Sequence, residues 1–189
     1  MAEKQLILAS TSKYRQELLS RLAYSFTATP PLIDEENEKD PNLSPQQLAE
    51  KLALLKAASL KGPGKVVIGG DQLVAFEGRI LGKAHSKEKA MDQLFSMQGK
   101  THELITAICV FDGDKMIPHT DITRMHMKKL SREQIERYVN LDMPTDCAGS
   151  YKIEKHGIML FDSIESQDFT AIQGLPLIAL SKILENAGL

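Results

Sequence analysis

Leu6-Ile7-Leu8-Ala9-Ser10-Thr11-Ser12-Lys13-Tyr14-Arg15 joins a short apolar run to three hydroxyl residues and then to a helical pattern. Arg15, Leu18, Leu19 and Leu22 follow at i, i+3, i+4 and i+7, the spacing of one helix face. Arg15 therefore heads the stripe that turns inward. A guanidinium there needs an anionic partner, because an unpaired buried charge is too costly to keep. The first helical turn also offers free backbone N–H groups and the positive end of the helix dipole. Two readings of these residues stand side by side. Ser-Thr-Ser is a common N-cap and a first-turn Arg a common surface charge. Alternatively, strand, hydroxyls, helix start and Arg together form a cradle for phosphate.

Outward from this stretch the pattern keeps alternating. Gln5–Ala9 reads as a buried strand, Lys13–Leu22 as a helix and Ser25–Thr29 as a short strand ended by Pro30-Pro31. Asp34–Pro41 is acidic and without periodicity, which predicts a loop. Ser44-Pro45-Gln46-Gln47 combines a capping box with Pro at the first helical position. The helix it opens carries Leu48, Leu52, Leu55 and Ser59 on one face and stops at Gly62-Pro63. Lys65–Gly70 reads as a strand, with an extended piece at Arg79–Leu81. Ser86 caps a helix bearing Ala90, Met91, Leu94 and Phe95. His102–Phe111 and Ile117–Lys128, parted by Asp112-Gly113, predict a hairpin. Ser131-Arg132-Glu133-Gln134 is a second capping box, Gly157–Phe161 reads as a strand, and Leu175–Asn186 as a final helix. Crossover helices together with a hairpin predict an α/β chain with a mixed sheet.

The 189 residues carry a net charge of −2, 5% aromatics and no Trp, with no basic stripe. Nucleic-acid binding is therefore not expected. No run approaches the length of a membrane span. The lead-in Met1-Ala2-Glu3-Lys4-Gln5 has no signal-peptide pattern, and Cys109 and Cys147 follow no metal or redox spacing. A reducing cytoplasm is the expected location.

A second group of candidates surrounds Ile68-Gly69-Gly70-Asp71-Gln72. A buried strand ends in two glycines, which admit a ligand or another backbone, and then presents a carboxylate. Ligands of open α/β sheets bind beyond such strand ends. Asp71 is thus either a metal ligand or proton acceptor, or a plain turn residue. Lys56, at the margin of its helix stripe, and Lys83, after Gly82, either extend an anion site or lie along the surface. Asp34-Glu35-Glu36 either supplies a metal ligand or is solvated. Gly62-Pro63-Gly64-Lys65 fails as a phosphate loop, since Ser59 stands where Gly is needed and Val66 where Ser or Thr is needed. The five histidines show no zinc spacing, and no nucleophile elbow is present.

Taken in order, these residues resemble the Maf family of nucleoside triphosphate pyrophosphatases. The resemblance spans essentially the whole chain as a single domain, residues 1–189. It rests on Leu6-Ile7-Leu8-Ala9-Ser10 with Ser12 and Arg15, Ile33-Asp34-Glu35, Lys56-Ala57, Gly70-Asp71-Gln72, Gly82-Lys83, Cys147-Ala148-Gly149-Ser150 and Gly174-Leu175-Pro176. It implies an inosine triphosphate pyrophosphatase-like fold, a mixed twisted sheet with flanking helices and a cleft between two lobes. It implies hydrolysis of a nucleotide between its α and β phosphates, a divalent cation (Mg²⁺, Mn²⁺ or Co²⁺) and often a homodimer. Asp71 matches the family's catalytic aspartate. Ser12, Arg15, Lys56 and Lys83 match its phosphate-binding positions, and Glu35, with Asp71, its metal site. Asp71-Gln72 and Glu154 resemble the branch that cleaves 7-methyl-GTP, with Tyr14, Gln72 and Glu154 at specificity positions. Members acting on dTTP and UTP carry Asp-Thr at the first pair. The alternatives are such a pyrophosphatase, one acting on other modified nucleotides, or a non-catalytic nucleotide-binding regulator of septum formation. The chain departs from the family pattern at Tyr14, where Trp is expected, at Lys13 and Ala84, where proline is common, and at Gly69, where Ser is frequent.

Overall fold

The computed structural model describes residues 4–189, so the lead-in at residues 1–3 lies outside the described residues. Among them, seven strands share one sheet: β1 (Gln5–Ala9), β2 (Thr27–Thr29), β3 (Lys65–Phe76), β4 (Arg79–Leu81), β5 (Thr101–Asp112), β6 (Lys115–Met127) and β7 (Phe161–Glu165). The order is β2-β1-β3-β5-β6-β7, with β4 paired to β3. β1 runs parallel to β2 and β3, whereas β3–β4 and β6–β7 are antiparallel, so the sheet is mixed as expected. Six α-helices accompany it in the described residues: α1 (Lys13–Ser20), α2 (Glu35–Glu38), α3 (Pro45–Ala58), α4 (Lys87–Met97), α5 (Arg132–Asp142) and α6 (Leu177–Asn186). No described helix is long and apolar enough to cross a membrane.

The chain forms two compact units. The first takes the residues up to Gln72 with Thr106–Asp121 and Asp168–Leu189, and the second takes Leu73–Ile105 and Ile122–Gln167. In the first unit, alternation along the strands sorts side chains to opposite faces. Leu6 and Leu8 of β1 and Val66 and Ile68 of β3 pack with Leu18 and Leu19 of α1 and Leu180 and Leu184 of α6. Each fully buried leucine contributes roughly 2 kcal/mol of transfer free energy. The opposite face receives α3, and Gly69 sets how close it comes. A Cβ at Gly69 would lie 2.3 Å from the Ala53 carbonyl oxygen and 2.5 Å from the Ala57 nitrogen. In this chain the helix touches the strand because residue 69 has no Cβ. The Ser44 capping box starts α3 as read from sequence, with Ser44 Oγ accepting from Gln47 N–H and Gln47 Oε1 accepting from Ser44 N–H.

In the second unit, Ser86 caps α4, and the Ser131–Gln134 capping box starts α5. Buried Tyr138 and Asp142 of α5 hold the turn that follows Tyr151. Tyr138 Oη accepts from Lys152 N–H, and Asp142 accepts from the backbone and the ring of His156.

Three stretches differ from expectation. Asp34–Pro41 is not all loop: Asp34 caps the one-turn helix α2, its Oδ1 accepting from Glu36 N–H. The strand expected to stop at Gly70 continues to Phe76, because β4 pairs with its outer half. Gly157–Phe161 is a 3₁₀ turn over His156–Leu160, and the strand begins at Phe161. Gly157 lies against the Lys152 carbonyl, 2.4 Å from where a Cβ would stand, and donates its N–H there. That local bond and the grip of Asp142 on His156 outweigh the apolar pattern.

Candidate functional site

The site grows from the carboxyl end of β1. β1 ends at Ala9, paired with Gly69, while β3 runs on past it. Gly70, Asp71 and Gln72 therefore project beyond the end of their parallel neighbour. Because neighbouring strand residues face opposite ways, Asp71 turns toward α3, and Gly70 and Gln72 turn the other way.

On the Asp71 side, Lys56 and Asp71 are 5% and 6% exposed. Lys56 thus lies within the buried stripe of α3 rather than at its margin, and Asp71 is a buried mid-strand residue rather than a turn residue. Lys56 Nζ donates to Asp71 Oδ1 at 2.7 Å and pairs with Glu35 Oε1 at 3.1 Å. One ammonium joins two carboxylates, the first buried and the second exposed on α2. Asp71 Oδ2 is buried without a hydrogen-bond partner among the described residues. An unpaired carboxylate oxygen in such a place is costly unless something else completes it. Lys51 anchors α2 from the same helix α3, pairing with Glu38 at 3.1 Å.

On the Gly70 side stands Arg15. Its Nε–H donates to the Gly174 carbonyl at 3.1 Å. A Cβ at Gly70 would be 3.7 Å from Arg15 Nε. Burial pulls the guanidinium pKa down from its ordinary value, and the charges of Asp71 and Glu35 push it back up. Ser12 Oγ accepts from Arg15 N–H, so the hydroxyl cluster does serve as an N-cap. Ser10, itself buried, accepts from Ser12 N–H at 3.1 Å. Residues Ala9–Ser12, Arg15, Pro31, Glu35 and Lys56 line a recess of about 140 Å³. The caps shape the loop, and the loop borders a recess lined by Arg15 and Lys56.

Gln72 occupies a different position from that of a free contact group. Its Nε2 donates to Thr106 Oγ1 at 2.9 Å, to Ala171 O at 2.9 Å and to Ile172 O at 3.1 Å. Three acceptors around one nitrogen fix the amide orientation. Its Oε1 accepts nothing from the described residues and is left to present an acceptor. Tyr14, on the same helix as Arg15, is 46% exposed.

The structure thus brings Ser12, Tyr14, Arg15, Glu35, Lys56, Asp71 and Gln72 into the first unit. Lys83 and Glu154 belong to the second unit. Lys83 is exposed and its backbone bridges antiparallel to Ala148. Glu154 is exposed in the turn that Tyr138 and Asp142 hold. Thr106 and Gly174 are not singled out in the sequence as site residues, whereas Ser10 belongs to its hydroxyl cluster. The Gly174-Leu175-Pro176 turn was the only signal pointing to that side. Cys109 is buried, and burial pushes its thiol up to about 11, so it is inert.

Two carboxylates, not three, converge near the recess, and no group of three His, Cys, Asp or Glu side chains forms a metal site among the described residues. That donor set suits a hard cation such as Mg²⁺, which takes one or two carboxylates and fills its remaining positions with phosphate oxygens and water. The unpartnered Oδ2 of Asp71 beside exposed Glu35 fits such an ion.

The structure is similar to the Ham1 protein of Staphylococcus aureus, with a TM-score of 0.55 at 14% identity over 97% of this chain and 99% of that one. It is also similar to a HAM1 protein of Coxiella burnetii, with a TM-score of 0.50 at 13% identity over the same shares. At those identities the likeness concerns the fold. In sequence, the chain is 80% identical over its whole length to a Bdellovibrio bacteriovorus protein named 7-methyl-GTP pyrophosphatase, covering all of that protein. It is 43% identical to a protein of the same name from Xanthomonas oryzae pv. oryzae, over 97% of each chain. The Maf-like protein family matches residues 5–187, and the chain belongs to that family.

Proposed function

We propose that this chain is a nucleotide pyrophosphatase that cleaves 7-methyl-GTP to 7-methyl-GMP and pyrophosphate. The observation that carries the chemistry is the divided carboxylate of Asp71, with Oδ1 held by Lys56 and Oδ2 left unpaired. The names of the full-length relatives support the choice of nucleotide.

Asp71 orients the water that attacks the α-phosphorus and, where its Oδ2 is not taken up by a cation, accepts the proton. The new P–O bond forms as the bond to the bridging oxygen breaks, and pyrophosphate leaves with the electron pair. Arg15 and Lys56 stand ready to neutralise the departing charge, with the Ser12 loop and the α1 N-terminus binding phosphate oxygens. Lys83 is assigned to the phosphates by its family position. A divalent cation would be held by Glu35 and Asp71, and would supply further charge neutralisation and lower the pKa of water bound to it.

Base choice rests on three groups. Gln72 Oε1, oriented by its fixed amide nitrogen, suits the N–H donors of a guanine edge. Tyr14 offers an aromatic face to a methylated, cationic ring, an interaction on the order of 0.5–2 kcal/mol. The Glu154 carboxylate balances the ring charge. The test is pyrophosphate release from 7-methyl-GTP, GTP, dTTP and UTP, each with Mg²⁺ and Mn²⁺. A clear preference for 7-methyl-GTP is expected. Equal or better turnover of dTTP or UTP overturns the base assignment, and no metal-dependent release from any of the four overturns the activity.

A further inference from the structure

Arg15 and Gln72 come from different elements, yet both are held by one short segment of backbone. Gln72 Nε2 donates to the carbonyls of Ala171 and Ile172, and Arg15 Nε donates to that of Gly174. Thr106 Oγ1 donates to Ala171 as well, at 2.9 Å. Gly174 sits at φ +115°, and a Cβ there would press on Arg15 Cγ and Nε at 3.4 Å. The aim of both side chains therefore depends on where residues 171–174 lie.

Two buried side chains fix that segment. Asp168 and Thr170 are 4% and 5% exposed. Asp168 Oδ1 accepts from Thr170 N–H at 2.9 Å and from the Thr170 hydroxyl at 2.5 Å, and Oδ2 accepts from Ile178 N–H at 2.7 Å. Thr170 Oγ1 in turn accepts from Leu177 N–H at 2.8 Å. The N-cap of α6 is Pro176, which has no side-chain cap of its own. Asp168 and Thr170 cap this helix from outside, each reaching across the loop to one of its first N–H groups. The loop is thereby clamped at one end to α6 and along its length to Arg15, Thr106 and Gln72.

We infer that Asp168 and Thr170 are positioning residues, which set the alignment of the phosphate-binding Arg15 and the base-reading Gln72 together through one loop. This rests on the roles given to Arg15 and Gln72 above. The Thr170 hydroxyl is the joint of the device, since it donates to Asp168 and accepts from Leu177 at once.

The test uses Thr170→Val, which keeps the shape and removes the hydroxyl, and Thr170→Ser, which restores it. Asp168→Asn is a milder second variant should Thr170→Val not fold. In the substrate-free full chain, the Nε–H resonance of Arg15 and the side-chain amide of Gln72 should both shift in Thr170→Val and return in Thr170→Ser. Turnover of 7-methyl-GTP should fall on the order of 10- to 100-fold through kcat, as for misaligned catalytic groups. Its preference over UTP should shrink in the same variant. A Thr170→Val protein that only melts earlier, with both resonances and the selectivity unchanged, overturns the inference. The resonances need no substrate, so a failure of the proposed reaction would leave this test readable.

Discussion

Gly69 and Lys56 are coupled across the face of the first unit: the missing side chain of one permits the buried position of the other. A Cβ at residue 69 would collide with backbone atoms of α3 at Ala53 and Ala57, on either side of the lysine that grips Asp71 at 2.7 Å. Gly69→Ala should therefore both destabilise the fold and move Lys56. Overpacking of this kind costs about 1–3 kcal/mol, and backbone contacts give little room to relax. Chemical denaturation should show the loss, and kcat should fall even at temperatures where the protein remains folded.

The buried pair itself predicts a separable effect. Lys56→Met leaves Asp71 without its charge partner, a loss of about 3–5 kcal/mol for a buried ion pair broken on one side. Lys56→Met with Asp71→Asn removes both charges and should recover much of that stability. Neither protein should release pyrophosphate at the original rate. Asp71→Asn alone should slow release by about 10²- to 10⁴-fold. Near-normal turnover in Asp71→Asn would remove Asp71 from the reaction.

Base selectivity should respond to Tyr14 and Gln72 in different ways. Tyr14→Leu should raise KM for 7-methyl-GTP by roughly 2- to 30-fold relative to GTP, the range set by a cation–π contact. Gln72→Met keeps the length of the side chain and removes its acceptor, together with the donor held by Thr106, Ala171 and Ile172. It should reduce discrimination between guanine and uracil nucleotides. Competition assays with paired substrates report both ratios, and unchanged ratios would take these residues out of base recognition.

His102 gives a stability change with pH. It is 1% exposed, and its Nε2 meets the Tyr151 hydroxyl at 3.0 Å. Burial, with a smaller push from His126, lowers its pKa from 6.5 to about 4. Below pH 6.5 the unfolded chain binds a proton that the folded chain refuses, so stability falls as pH drops toward 4. The full effect is about 3 kcal/mol. His102→Gln should flatten this part of the pH profile in urea titrations. Identical profiles for the two proteins would mean that His102 is protonated in the fold.

Much of this arrangement is legible in the residues. Period and caps locate β1, α1, α3, α4 and α5 because local forces and burial agree there. Asp71 is less legible: Gly69-Gly70 reads as a strand end, and only the distant partner Arg79–Leu81 shows that the strand continues. Lys56 is misleading for the opposite reason. Its charge suggests the margin of a helix, and nothing nearby in sequence announces the two carboxylates that stabilise it inside. The role of residues 168–174 is absent from any periodicity, since it rests on backbone carbonyls, which every residue carries. Glu154 is placed by family pattern alone, and Lys83 by that pattern and its position after Gly82.

The Lys56 ammonium shared between Glu35 and Asp71 has a consequence for turnover. A cation already matched by resident carboxylates gains less from an arriving phosphate than a bare one would. In the proposed reaction, departing pyrophosphate would likewise be displaced by the protein's own acids as they reclaim the ammonium. Such internal competition would lower the grip on spent product and leave the catalyst free for its next cycle.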